Sequence, residues 1–183
     1  VGGIELNLAT GEGSLGDAAG DSVSNFENVV GSVFGDQITG DAGDNLLDGS
    51  VGEDQLTGGA GSDRYILSRG SGSDTVFEAS SLLDNDTLEI VGDFGVDAVS
   101  IYADGDDLVV ELERDGGFLP DLVRIKDHFL GDGAGIETLL FGDGTSWDRA
   151  TIDANAAASQ LQAEDDIIRL VDEDSPFTFA ATD

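Results

Sequence analysis

A nine-residue period is what most restricts the folds open to this chain. Four consecutive units lie in unbroken register: GSVFGDQIT (31–39), GDAGDNLLD (40–48), GSVGEDQLT (49–57) and GGAGSDRYI (58–66). Position one is always glycine, at Gly31, Gly40, Gly49 and Gly58. Position six reads Asp36, Asn45, Asp54 and Asp63, and position eight reads Ile38, Leu47, Leu56 and Tyr65. A period of this length implies a stack of similar units, none of which buries its apolar side alone. Weaker copies flank the four. GDAAGDSVS (16–24) puts Asp21 and Val23 in slots six and eight. After two inserted residues, RGSGSDTVF (69–77) supplies Asp74 and Val76. LLDNDTLEI (82–90) has Asp86 and Leu88 at similar offsets but has lost the glycines.

Positions seven to nine of each unit alternate outward, inward, outward, as a short half-buried strand does. Position eight is then the single inward side chain. Burying one aliphatic group contributes ~1.5–3 kcal/mol, whereas ordering the backbone costs ~1–2 kcal/mol per residue. The glycines raise that cost further. Hydrophobic burial therefore does not hold such a unit, and a second source of stability is required.

The charge says what that source is. The chain carries 39 acidic residues against 7 lysines and arginines, a formal net charge of −32, and residues 1–63 contain no basic residue or histidine. A nucleic-acid partner is excluded, because phosphate binding needs a basic footprint. No apolar run approaches the ~20 residues that span a bilayer, so no direct membrane insertion is expected. No signal-peptide pattern opens the chain. The absence of cysteine rules out disulfides and thiol chemistry, and the absence of methionine suggests a piece of something longer. High net charge also suits disorder, but a strict register favours a folded chain whose charge is neutralised by bound cations. Calcium takes six to eight hard oxygen ligands at ~2.3–2.6 Å, carboxylates and carbonyls among them.

Two units make one full coil, so residues eighteen apart stack: Asp36 over Asp54, and Asn45 over Asp63. The candidate ligands are Asp36, Asn45, Asp54, Asp63 and Asp74, with Asp21 and Asp86 from the weaker copies. The turns add Asp41, Asp44 and the backbone of Gly31, Gly40, Gly43, Gly49, Gly52, Gly58 and Gly61. Asp48, in the outward ninth position, reads as a solvated charge. A merely solvated acidic face is the competing reading, and it does not explain why the acids keep to one slot.

These units resemble the repeats-in-toxin (RTX) calcium-binding nonapeptide family. Gly58–Ile66 fits every slot of its consensus G-G-x-G-x-D-x-U-x. The other units depart mildly, with Ser50 or Asp41 at position two, Phe34 at position four and the neutral Asn45 at position six. The resemblance implies an all-β fold, a right-handed parallel β-roll with several Ca2+ ions between its turns. It also implies a secreted or surface-exposed bacterial protein that leaves by a one-step, type I-like route and folds outside on calcium.

The resemblance extends to both sides. Residues 3–32 look like the segment that leads into such arrays, so residues 1–95 are expected to form the roll with its lead-in. Residues 96–152 resemble the β-rich segment that follows, and are expected to cap the open end. There SIYADGDDLVVELE (100–113) reads as a hairpin about Asp104–Gly105–Asp106, LVRIKDHFL (122–130) as a strand and turn, and GIETLLFGDGTSWD (135–148) as a further strand. Arg114, Arg124, Lys126 and Arg149 fall here, so this part can balance charge without ions. Residues 153–183 read as a linker, or begin with a short helix. DEDSPFTFAATD (172–183) resembles the opening of the cadherin-like or immunoglobulin-like repeats of large bacterial surface proteins.

Other chemistries fit less well. GEGSLG (11–16) is formally a dinucleotide-loop pattern, but a repeat-like turn follows it instead of a helix, and Glu12 would oppose a pyrophosphate. The EF-hand pattern does not occur. With so many acids, a close carboxylate pair says nothing of glycoside hydrolysis. His128 is the only histidine, without a G-x-S-x-G elbow. The two prolines follow Leu119 and Ser175, so no Asp-Pro bond is available for self-cleavage. The expectation is a non-enzymatic calcium-binding structural module whose partners are calcium ions and flanking domains of its own chain. The alternatives are an adhesive or ligand-binding module that grips a glycan, and the C-terminal folding tail of a secreted protease, lipase or polysaccharide-modifying enzyme.

Overall fold

The computed structural model describes residues 2–78, 82–113, 120–131 and 133–159. Strands dominate. Before the repeats come β1 (Glu5–Asn7), β2 (Glu12–Leu15) and β3 (Asn28–Val30). The four regular units give β4 (Gln37–Thr39), β5 (Leu46–Asp48), β6 (Gln55–Thr57) and β7 (Arg64–Ser68), and the irregular ones β8 (Ser73–Phe77) and β9 (Thr87–Val91). Five more follow: β10 (Val99–Asp104), β11 (Asp107–Leu112), β12 (Leu122–Ile125), β13 (Thr138–Leu140) and β14 (Ser146–Asp148). A helix, α1, covers residues 149–159.

The strands form two mixed sheets, ordered β10-β11-β12-β8-β6-β4-β1-β2 and β14-β13-β9-β7-β5-β3. From β3 to β9 successive strands alternate between the sheets, and neighbours within a sheet run parallel. Ile38 stands opposite Leu56 and Leu47 opposite Tyr65, which is the eighteen-residue offset expected of two units per coil. The offset then lengthens, with Leu56 opposite Val76 and Tyr65 opposite Leu88. Antiparallel pairs finish the sheets at β1–β2, β10–β11–β12 and β13–β14.

The core follows the spacing. Ile38, Leu47, Leu56, Tyr65, Val76 and Leu88 are all buried, one per unit. In β7, β8 and β9 the strands lengthen to five residues, and Leu67 and Ile90 join the core. The cap strands extend both sheets in parallel, Ile125 beside Val76 and Leu139 beside Leu88. The β10–β11 hairpin turns where expected, with Gly105 at φ +66°, a conformation that glycine adopts without strain. β11 departs from the expected alternation, since Val109 and Val110 are both buried. Tyr102 and Arg124 flank Val109 on the neighbouring strands, and their long side chains cover its outer face.

Two segments differ from their reading in the sequence. β1 pairs in parallel with β4, Leu6 opposite Ile38, so the lead-in adds a rung of its own. The copy at 16–24 adds none: β2 folds back antiparallel on β1, and Gly13 donates to the carbonyl of Asp21 at 3.1 Å. α1 runs across the boundary drawn at residues 152–153. Asp148 Oδ1 accepts from the N–H of Thr151 at 2.9 Å as an N-cap, and Ile152 and Ala156 bury one face. Arg114 and the readings on residues 160–183 lie outside the described residues.

Candidate metal centre

Position six ends each turn one residue before the strand, except at Asp74, the second residue of β8, and its side chain is buried. Asp36, Asn45, Asp54, Asp63, Asp74 and Asp86 are each 3% exposed or less. They stack in two columns. In the first, the N–H of Asp36 donates to Asp54 Oδ1 at 2.7 Å, and that of Asp54 to Asp74 Oδ1 at 3.1 Å. In the second, Asn45 donates to Asp63 Oδ1 at 2.8 Å, Asp63 to Asp86 Oδ1 at 2.8 Å, and Asp86 to Glu137 Oε2 at 2.9 Å. Each carboxylate thus reaches back to the main chain one coil earlier, whereas the Asn45 side chain bonds Asp41 of its own unit. The first column ends at Ile4, whose N–H donates to Asp36 Oδ1 at 2.6 Å, and at Val123 opposite Asp74.

This packing explains the invariant glycine. A Cβ at Gly31, Gly40, Gly49 or Gly58 would collide with the side-chain oxygen of Asp36, Asn45, Asp54 or Asp63 respectively. None of the four has a positive φ, so close approach rather than conformation sets the requirement.

The second oxygen of each pair matters more. In the first unit the backbone N–H at position two satisfies it, Ser32 donating to Asp36 Oδ2; in the second, Asp41 donates to the single oxygen of Asn45 at 2.8 Å, and Asn45 Nδ2 is buried without a partner. In the third, Ser50 lies at φ +71° and its N–H bonds Asp48 Oδ1 at 2.8 Å instead. In the fourth, Gly59 lies at φ +111°. Asp54 Oδ2 and Asp63 Oδ2 are consequently buried without a partner, a state that costs free energy unless something charged compensates it. The columns offer oxygens only, which fits a hard divalent cation such as calcium.

Residues 30–65 match the family model for the RTX calcium-binding nonapeptide repeat (4 copies). The chain carries RTX calcium-binding repeats. Behind the RTX array, residues 107–151 match the haemolysin-type calcium binding protein related domain. No curated protein matches the chain.

The RTX columns repel themselves when empty and charged. Burial pushes the carboxyls of Asp54 and Asp63 up to about 6, that of Asp86 to about 7 and that of Asp74 to about 8. Neighbouring carboxylates push the same way, Asp36 on Asp54 and Glu137 on Asp86 among them, and the backbone N–H bonds oppose them.

The remaining candidates lie off the columns. Asp44 Oδ1 accepts from Ser62 N–H and Asp41 Oδ1 from Gly43 N–H, both at 2.8 Å, so these two knit the turns. Asp48 is half-buried and holds Ser50 rather than standing free in solvent. Asp21 is exposed, and its backbone bonds Gly13 and Ala18. Two acids in the second column's surroundings escaped the sequence reading. Glu137 is slot six of DGAGIETLL (132–140), a unit that keeps glycine at slots two and four, Gly133 and Gly135, but has Asp132 at slot one and glutamate for aspartate at slot six. Glu78 follows β8 where the pattern calls for glycine. In the cap, Asp107 pairs with Lys126 at 2.6 Å and with Arg124 at 3.2 Å, and Arg149 with Asp153 at 3.0 Å. Asp107 and Asp153 thus meet cationic side chains, as no position-six aspartate of the columns does among the described residues.

Proposed function

We propose that this chain is a calcium-binding structural module: a right-handed parallel β-roll to about residue 95, capped by residues 96–152 and α1. Several calcium ions bind along its two carboxylate columns, with the position-six side chains and the turn carbonyls as ligands. The handedness follows the strong preference of parallel strand crossovers. The observation that carries the reading is the pair of buried, unpartnered oxygens, Asp54 Oδ2 and Asp63 Oδ2, each on a carboxylate already pinned by a backbone N–H.

When bound, calcium supplies the positive charge that the columns lack. The chain's own residues do the rest. Glycine at position one lets the carboxylate lie flat against the turn, the N–H of the preceding coil fixes its orientation, and position eight closes the core beneath. Ligand groups so placed exist only in the stacked state, so binding free energy becomes folding free energy. The module itself performs no reaction. Its place is outside a bacterial cell, in a secreted or surface protein exported unfolded, where calcium is plentiful and assembly follows export.

Isothermal titration of the whole chain tests this. More than one calcium ion should bind per wild-type chain, and fewer to the Asp54→Asn/Asp63→Asn double variant. A wild-type chain that takes up no calcium overturns the reading.

A further inference from the structure

Where the repeat register breaks, at the end of the array, a third carboxylate enters the second column. In the β6–β8 pairing Thr57 stands opposite Phe77. Glu78 therefore occupies the step that Gly58 holds one coil earlier. In a regular unit no side chain fits there, because position six of the same unit lies over it. The turn from Glu78 to Asp86 is three residues longer than that from Gly58 to Asp63, eight steps against five. The Glu78 carboxylate leans back over Gly58, beside Asp63 Oδ2 and the Tyr65 hydroxyl: an atom added to Gly58 would touch all three.

We propose that Asp63, Glu78 and Asp86 form a cation site distinct from those of the regular repeats, oriented by Tyr65 and suited to calcium or a trivalent lanthanide. It rests on the calcium reading of the columns. Each of the three offers one oxygen, and the three oxygens lie within 4.8 Å of one another. Asp63 and Asp86 are almost fully buried and Glu78 is half-buried. Asp63 Oδ2, inside the cluster, has no partner. Among the described residues neither Asp63 nor Asp86 enters an ion pair.

Tyr65 is the second sign of a built site. The other three regular units put isoleucine or leucine at position eight. A hydroxyl at that depth needs an acceptor, and Tyr65 donates its hydroxyl to Glu78 Oε1. That bond holds the Glu78 carboxylate over the column, with Oε1 beside Asp63 Oδ2. A regular unit brings one side-chain oxygen donor per coil and fills its shell with carbonyls. Three carboxylates in one place carry more charge, and ligand charge is what tunes affinity among oxygen sites. The site would tie the irregular turn to the last full repeat.

Terbium luminescence under tyrosine excitation, with calorimetric calcium counting, tests the proposal on the whole chain. Wild type should show sensitised terbium emission that calcium displaces. Tyr65→Phe should lose most of that emission while keeping its calcium count, the residue from Tyr102 and Trp147 setting the background. Glu78→Gln should lose both the emission and one calcium ion. If wild type binds calcium while Tyr65→Phe emits as wild type does, or Glu78→Gln keeps every ion, the site is refuted although the column reading stands. Should Glu78→Gln fail to fold in calcium, the Tyr65→Phe emission alone decides. If wild type binds no calcium at all, the column reading itself fails, and this site with it.

Discussion

The backbone N–H of Asp36 donates to Asp54 Oδ1, eighteen residues further on, at 2.7 Å. One oxygen of Asp54 thus holds the stack together, and the other waits for charge. The two tasks separate by mutation. Asp54→Ala strands the buried N–H of Asp36 and should cost about 1–3 kcal/mol even in chelator. Asp54→Asn keeps an acceptor and removes a repelling charge, so in chelator at pH 8 it should match or exceed wild type. Both should bind calcium more weakly. Denaturant unfolding with and without calcium checks this, and an Asp54→Asn chain less stable than Asp54→Ala in chelator contradicts it.

Gly49→Ala isolates the close approach. A methyl group there runs into the Asp54 carboxylate without any change of backbone region. The expected loss is about 1–3 kcal/mol, as for other overpacked sites, with a matching loss of calcium affinity. Gly2→Ala, in open space, should leave melting unchanged.

The columns also fix a pH dependence. Asp54, Asp63, Asp86 and Asp74 have folded values of about 6, 6, 7 and 8, all above the ordinary 3.8. Between 3.8 and about 8 the folded chain therefore holds more protons than the unfolded one, and stability without calcium falls as pH rises. In chelator the chain should melt higher at pH 5 than at pH 8. Calcium binding near pH 7 should release protons, visible as a titration enthalpy that depends on the buffer.

His128 in the cap has the opposite sign. It is fully buried, its Nε2 is 3.1 Å from Asp153 Oδ1, and its Nδ1 accepts from Ile136 N–H at 3.3 Å. Burial and then Arg149 lower its value from 6.5 to about 4. The unfolded chain takes this proton first, so its contribution to stability is present above 6.5 and lost as pH falls toward 4. NMR should find the His128 ring neutral at pH 5.5, with Phe129 edge-on at 4.7 Å; a ring that titrates at its ordinary value refutes the buried placement.

What could be read from the sequence is what depends on constant spacing. Position eight as core and position six as a column follow directly from the eighteen-residue offset, and Asp74 and Asp86 survive small insertions because each still stands two residues before a buried core side chain, Val76 or Leu88. Glu78 was missed since it belongs to the stack in space but stands at a glycine slot of the period, and Glu137 since its unit, DGAGIETLL (132–140), is far from the array in sequence and carries glutamate at slot six. Ile4 was missed for another reason: it ends a column by presenting only its N–H, and no letter pattern marks that. Asp21 shows the converse. Its unit has the right letters, but its carbonyl accepts from Gly13 of β2, its N–H donates to Ala18, and its side chain lies in solvent. α1 was readable only as one of two options, because Ile152 and Ala156 alone mark its buried face.

The most direct measurement is circular dichroism of the whole chain, taken at pH 7.5 in excess chelator and then through a calcium titration. Calcium should raise the β-sheet signal steeply and move thermal unfolding to higher temperature, with Asp54→Ala shifting the transition to higher calcium. A β-signal already complete in chelator, with an unfolding midpoint that calcium does not move, would show that the columns are not held by the ion.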